Sequence, residues 1–257
     1  MILSTVDELD LIPKRIVSLV PSQTELLHFL ELDKETIGIT KFCIHPKEWH
    51  QNKIKIGGTK LINQKRIHEL YPDLIIANKE ENVKEQIEAL AQYYPIWITD
   101  VKNFEGALNM INNIGVLTNR TTKANNLADK IRIDFEQKLS IINKNKRAVY
   151  LIWKNPYMTI GSDTFINDML NKAGFQNVFK DQERYPEVSI KQIQESGCEI
   201  VLLASEPYPF KEKHLKELQS QLPNCKIILV NGELFSWYGS RLLKCVDYFN
   251  TLSSNSM

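Results

Sequence analysis

The chain lacks any run of 18 apolar residues, which excludes a membrane-spanning helix of ordinary length. Its four cysteines, Cys43, Cys198, Cys225 and Cys245, are scattered with no CxxC spacing, so neither structural zinc nor a disulfide framework is expected. Charge of one sign is missing too: 32 basic against 31 acidic residues leave a formal charge of +1. A nucleic-acid or anionic-membrane surface is therefore not expected. Walker-type phosphate loops and GxGxxG, GxSxG and HExxH signatures are absent. Gly57-Gly58-Thr59-Lys60 lacks the phosphate-loop spacing and reads as a tight turn carrying a solvated lysine. The five histidines (His28, His45, His50, His68, His214) show no paired spacing for a metal. A basic n-region, apolar h-region and small-residue cleavage site are also missing from the first stretch. A cytoplasmic location is the expectation for the chain as it stands, and a periplasmic or membrane-associated one if its start has been trimmed.

What is present is the balance of a soluble globular protein, 43% hydrophobic and 25% charged over 257 residues, enough for two cores of ordinary size. The segment 118–143 contains neither proline nor glycine. Its apolar residues Leu127, Ile131, Phe135, Leu139 and Ile142 recur at steps of four, four, four and three, one narrow helical stripe. Short strand and helix signals alternate on each side, which implies parallel sheets covered on both faces. The expected fold is α/β: two Rossmann-like lobes with mainly parallel sheets, joined by one long rigid helix, with a ligand cleft between them. The expected boundaries are 1–117, a connecting helix 118–145, and 146–257. A gapless internal echo supports two similar lobes. Ile67-His68-Glu69 leading to the strand 74–77 and Glu80 is repeated by Ile193-Gln194-Glu195 leading to 200–204 and Glu206.

In parallel sheets ligands sit beyond the carboxyl ends of the strands. The first-lobe loops at those ends offer Pro21, Ser22 and Gln23; Phe42, Cys43 and His45; Gly58, Thr59 and Lys60; and Asn78. Ser22 is also a candidate cap for the helix that follows, with Glu25 at the capping-box position. The second-lobe loops offer Trp153, Tyr157, Asp163, Tyr208, Phe235, Trp237, Tyr238 and Arg241. Turns usually carry polar side chains, so this aromatic crowding suggests a surface meant to be covered. Asp163 doubles as a candidate helix cap. Three cysteines border apolar runs and read as buried; Cys43 is the exception, and with His45 it forms the one weak metal or nucleophile candidate, Glu80 or Glu81 completing it.

The strand 15–20 with its Pro21-Ser22-x-Thr24-Glu25 turn, and Tyr71-Pro72-Asp73-Leu74-Ile75-Ile76-Ala77, resemble the helical-backbone metal-chelate receptors. These are the substrate-binding proteins of ABC importers for cobalamin, iron–siderophore and heme, and the resemblance covers about 15–252. It implies a non-enzymatic, monomeric receptor whose ligand, a cobalt corrinoid before an iron chelate, lies between the first-lobe loops and the aromatic loops. No intrinsic cofactor is implied. One surface glutamate per lobe, Glu80 (or Glu81 or Glu85) and Glu206, would dock on permease arginines. Trp237 and Tyr238 would cover an apolar macrocycle face, while Arg241 would reach a ligand carboxylate or amide, or else bridge to Glu233. Two rival readings are an enzyme using Cys43 and His45, and an interaction module whose aromatic loops dock a protein.

Overall fold

The computed structural model describes residues 1–140 and 145–255. They divide into two compact α/β units. The first takes Met1–Val101, Glu105–Ile133 and Tyr238–Leu243; the second takes Lys102–Phe104, the chain from Asp134 to Trp237, and the chain from Lys244 onward.

In chain order the first unit holds β1 (Ile2–Leu3), β2 (Ile16–Ser18), α1 (Pro21–Phe29), β3 (Thr36–Ile39), α2 (Lys47–Asn52) and β4 (Ile54–Lys55). There follow α3 (Gln64–Leu70), β5 (Leu74–Asn78), α4 (Lys84–Ala91), β6 (Ile96–Thr99), most of α5 (Phe104–Leu117) and most of α6 (Thr121–Gln137). Its six strands lie in the order β1-β6-β5-β2-β3-β4, every pair parallel. All five residues of β5 are buried, as expected of a central strand covered on both faces. Each such fully buried Leu or Ile contributes about 1.5–3 kcal/mol of hydrophobic stabilisation.

The second unit restarts the pattern with β7 (Lys146–Leu151), α7 (Phe165–Lys172), β8 (Phe175–Asn177), α8 (Ile190–Glu195), β9 (Ile200–Ala204) and α9 (Glu212–Gln221). It ends with β10 (Lys226–Val230), α10 (Glu233–Ser236) and α11 (Cys245–Asn255). Its four parallel strands lie in the order β10-β9-β7-β8.

The internal echo is a structural one. β5 and β9 each follow a short helix and each pair with the first central strand of their unit, β2 and β7. An arginine stands near the start of both central strands. Arg15 donates from its backbone to Asp73 (2.8 Å) and from its guanidinium to the Leu70 carbonyl at the end of α3 (2.5 Å). Arg147 donates from its backbone to Glu199 (2.9 Å) and from its guanidinium to the Ser196 carbonyl just past α8. In both units one arginine thus ties the incoming helix to the strand pair flanking the site where the chain reverses direction across the sheet.

The expected connecting helix is shorter than its pattern. α6 runs over Thr121–Gln137, and the compact units part inside it, after Ile133. Leu127, Ile131 and Phe135 are buried as the stripe requires, Leu139 lies past the helix and half-buried, and Ile142 lies outside the described residues. α5 and α6 approach closely where Gly115 meets Ala124: a side chain on Gly115 would sit 2.3 Å from the Ala124 methyl. Two further expectations are corrected. Ser22 does not cap α1; the helix opens two residues earlier than that cap implies, on Pro21, whose ring presets the helical φ, with Val20 at the cap. Thr164 rather than Asp163 caps α7, accepting from the Asn167 N–H. Between α10 and α11, Gly239 takes φ +98° and a 3₁₀ turn runs over Ser240–Lys244.

Candidate functional site

Order reverses between β2 and β5 in the first sheet and between β7 and β9 in the second, so the loops beyond these carboxyl ends are the natural ligand positions of each unit.

In the first unit the loop after β5 is built by two asparagines. The Asn78 side-chain oxygen accepts the backbone N–H groups of Glu80 (2.9 Å) and Glu81 (3.1 Å), and its amide donates to the Thr99 carbonyl (3.0 Å). Asn82 accepts the Asn78 N–H (2.8 Å) and donates to the Thr59 carbonyl (3.1 Å). Lys60 donates to the Glu80 carbonyl at 2.5 Å, so the Gly58–Lys60 turn and the Glu80 loop form one tied surface. Asn78 is buried and serves this scaffold.

Ser22 and Gln23 are interior, at 2% and 0% exposure. Gln23 donates to Thr99 Oγ1 at 2.5 Å. Tyr238 lies against both: burial pushes its phenol well above the ordinary value, and hydrogen bonding with Gln23 and Ser22 opposes the rise. Arg241 is almost fully buried. It closes on Glu25 through two bonds of 2.7 Å, Nε to one carboxylate oxygen and Nη2 to the other. The expectation that Arg241 contacts ligand is corrected by this pairing, which consumes the face of the guanidinium best suited to a carboxylate.

Cys43 is fully buried rather than loop-exposed. Its sulfur touches the hydroxyls of Thr24 (3.1 Å) and Thr40 (3.2 Å), and burial pushes its thiol up to about 11. A thiol so placed is a poor nucleophile and a poor metal ligand at neutral pH. Among the described residues no group of three His, Cys, Asp or Glu side chains is placed to hold a metal ion. His45 is half-buried two residues beyond.

This edge also exposes apolar side chains. Phe42 is 50% exposed, Ile44 43% and Leu61 81%. Phe42 lies over Gly58, where an added methyl would come 3.1 Å from its ring, and Lys41 sits 5.1 Å from the ring centroid. Leu61 went unnoticed in the sequence because one leucine in a polar turn carries no periodicity.

In the second unit the aromatics separate into two groups. Trp153, beyond β7, is 41% exposed and meets Tyr208 edge-on at 5.7 Å between centroids. Tyr208 continues to Phe210 (4.7 Å) and His214 (5.4 Å), and Tyr157 and Tyr208 pack on the same core. Lys154 pairs with Glu217 beside them. Phe235 instead is core, at 0% exposure, packed on Tyr150 and Phe249. Trp237 is likewise buried, and its indole N–H donates to Glu206 at 2.7 Å, the same carboxylate oxygen that accepts from Ser236 Oγ at 2.7 Å. The expected aromatic cover at Trp237 and Tyr238 is therefore interior packing, and the exposed platform is Trp153. Asp163 stands apart, accepting the Arg184 N–H at 2.6 Å.

The sequence pattern of the family described as Periplasmic binding protein matches residues 16–223. An uncharacterized ABC transporter substrate-binding lipoprotein, YvrC, of Bacillus subtilis is 30% identical over 192 residues, covering 70% of this chain and 60% of its own length. The vitamin B12-binding protein of Vibrio parahaemolyticus is 27% identical over 188 residues, 70% of this chain and 66% of that one. That of Vibrio campbellii is 24% identical over 250 residues, 93% of this chain and 90% of that one. Among solved structures, the periplasmic vitamin B12 binding protein BtuF of Vibrio cholerae superposes with a TM-score of 0.79 at 21% identity, covering 95% of this chain and 98% of that one. The periplasmic heme-binding protein RhuT from Roseiflexus sp. RS-1 superposes with a TM-score of 0.81 at 16% identity, with the same coverage. These structural likenesses establish the shared α/β fold.

Proposed function

This chain belongs to the periplasmic binding protein family, and from that membership we propose that it is the substrate-binding component of an ABC importer for a metal chelate. A cobalt corrinoid is preferred over an iron–siderophore or heme. The match over residues 16–223 carries the receptor reading, and the named vitamin B12-binding relatives support the ligand preference.

One structural observation favours a largely neutral macrocycle. The cations at the candidate loops are already engaged: Lys60 on the Glu80 carbonyl, Lys79 on Asp100, Lys154 on Glu217, Arg241 on Glu25, and Lys41 over Phe42. An anionic siderophore would call for cations still open to it. The exposed surfaces of Phe42, Ile44 and Leu61 in the first unit, and that of Trp153 in the second, each suit the apolar rim of a corrin ring instead.

In this reading the chain binds and hands over its cargo without chemistry, and its partner is a permease. The burial of Cys43 weighs against the Cys43–His45 enzyme. Glu80 and Glu206 stand as the docking glutamates, with Glu206 held in place by Ser236 and Trp237. Relatives described as periplasmic or as lipoproteins favour an exported protein, and the cytoplasmic placement expected from the start of the chain finds no support among them. No described helix is long and apolar enough to cross a membrane.

The test is tryptophan fluorescence titrated with cobalamin, hemin and ferric siderophores, corrected for ligand absorbance, with Trp153→Phe alongside. Saturable quenching by cobalamin, reduced in amplitude in the variant, is the expected result. Saturation by a ferric siderophore or hemin alone would overturn the corrinoid preference, and saturation by none would overturn the chelate receptor.

A further inference from the structure

We propose that Cys198 and Cys225 form a redox modification site, two thiols placed to close a disulfide between the amino ends of β9 and β10 when a small disulfide donor is supplied. The two are 27 residues apart in sequence, which is why their spacing carries no signal, yet their sulfurs lie 3.1 Å apart. The Cys225 sulfur also approaches the Cys198 carbonyl at 3.3 Å. Register explains the meeting: Lys226 pairs with Ile200, so Cys225 falls one residue and Cys198 two residues before paired positions. With neighbouring strands about 4.8 Å apart and a rise of about 3.3 Å per residue, that one-residue offset corresponds to roughly 5.8 Å between α-carbons, inside the roughly 4.4–6.8 Å that a disulfide spans.

The other two cysteines are placed differently. Cys43 sits on Thr24 and Thr40, and Cys245 donates to the Leu234 carbonyl at 3.2 Å. Cys198 and Cys225 also keep 8% exposure each, whereas Cys43 and Cys245 have none. The pair lies at the amino edge of the sheet, on the two strands whose opposite ends carry Glu206 and the approach to Ser236. A bond there would close the β9-α9-β10 segment into a ring without touching the candidate ligand edge.

The chemistry is thiol–disulfide exchange with a donor of the glutathione-disulfide class. One thiolate attacks the donor and forms a mixed disulfide, expelling one donor thiol. The second thiolate then attacks the protein sulfur of that bond and expels the other. Two electrons pass from the cysteine pair to the donor, which leaves as two thiols. Burial, reinforced by Cys225, pushes the Cys198 thiol up to about 12, so the exchange is expected to be slow at neutral pH and to quicken on mild alkalinisation.

The site stands independently of the receptor reading. The purified full chain, first reduced, is equilibrated with mixtures of oxidised and reduced glutathione, quenched with acid, unfolded and alkylated. Under oxidising mixtures the expected product has lost the mass of two hydrogens, keeps two alkylatable thiols, and yields one linked peptide joining Cys198 to Cys225. Its thermal midpoint should rise by several degrees and return on reduction. Cys198→Ser and Cys225→Ser should each abolish the linked peptide. Four alkylatable thiols throughout, a linked peptide joining any other pair, glutathione adducts that never resolve, or a persisting mass loss in either variant would overturn the proposal.

Discussion

Arg241 and Glu25 meet through two parallel hydrogen bonds of 2.7 Å although 216 residues separate them in the chain. The pair is largely buried, with side chains 6% and 15% exposed. It fastens Tyr238–Leu243 onto α1, within the first compact unit to which both belong. Removing the arginine would strand a carboxylate out of water, and such losses typically cost about 3–5 kcal/mol. Arg241→Ala should therefore lower the urea midpoint strongly. Arg241→Lys should recover only part of it, since an ammonium cannot form the parallel fork. Equal midpoints for wild type and Arg241→Ala would refute a structural role for the pair.

Glu206 supports the second unit in a similar way, and this matters for any test of docking. Its carboxylate oxygen accepts both the Trp237 indole N–H and the Ser236 hydroxyl. Glu206→Ala leaves a buried indole donor without its acceptor, a loss of about 1–3 kcal/mol. Glu206→Gln keeps an acceptor oxygen in place while removing the charge, so its unfolding midpoint should stay near wild type. A permease-binding defect in Glu206→Gln would then report charge, whereas the same defect in Glu206→Ala would mix charge with unfolding. Chemical denaturation of the two variants decides whether that separation holds, and it fails if Gln destabilises as much as Ala.

The parallel strands were legible because 15–20, 74–77 and 200–204 are unbroken apolar runs, the pattern of strands buried on both faces. β1 and β8, of two and three residues, were not, because so short a run has no period to read. The α6 stripe was visible but its end was not, since polar residues past Gln137 look alike in a helix and in a loop. The site failed where placement depends on distant partners. Trp237 and Phe235 looked like turn aromatics awaiting a ligand, yet Glu206 and Phe249 claim them. Cys43 looked like a loop thiol because Thr24 and Thr40 close over it only in three dimensions. Trp153 carried no stronger signal than these, and its exposure emerges only once the others are buried.

His214 should make stability depend on pH. Its Nδ1 accepts the Lys211 backbone N–H at 3.0 Å, an acceptance that a protonated ring must give up. Burial against Tyr208 and Phe210, with Lys154 nearby, holds the ring below its ordinary value of 6.5. Above pH 6.5 both folded and unfolded chains carry the neutral ring, so this residue adds no pH dependence. As the pH falls below that value the unfolded chain takes up the proton first, and stability declines until the folded pKa is passed. Urea midpoints measured between about pH 7 and pH 5.5 should fall for wild type. They should fall less steeply for His214→Asn, which keeps a short polar side chain but does not titrate. Parallel slopes would assign the decline to other groups.

Of the four tryptophans, Trp49, Trp97 and Trp237 are 2%, 8% and 7% exposed, and Trp153 is 41% exposed. A collisional quencher such as iodide should therefore reach one class of emission, and Trp153→Phe should remove most of it while leaving the folded spectrum of the buried three. If Trp153 is also the platform for the chelate, replacing its ring by a methyl forfeits an aromatic contact of about 0.5–1.5 kcal/mol. Trp153→Ala should then weaken cobalamin binding roughly two- to twelve-fold, by that same aromatic contact term. The edge-on partner sharpens the assignment: Tyr208→Leu removes the ring that steadies Trp153 at 5.7 Å and should weaken binding without restoring iodide protection. Iodide quenching that survives intact in Trp153→Phe would place the accessible indole elsewhere and remove the platform from the second unit.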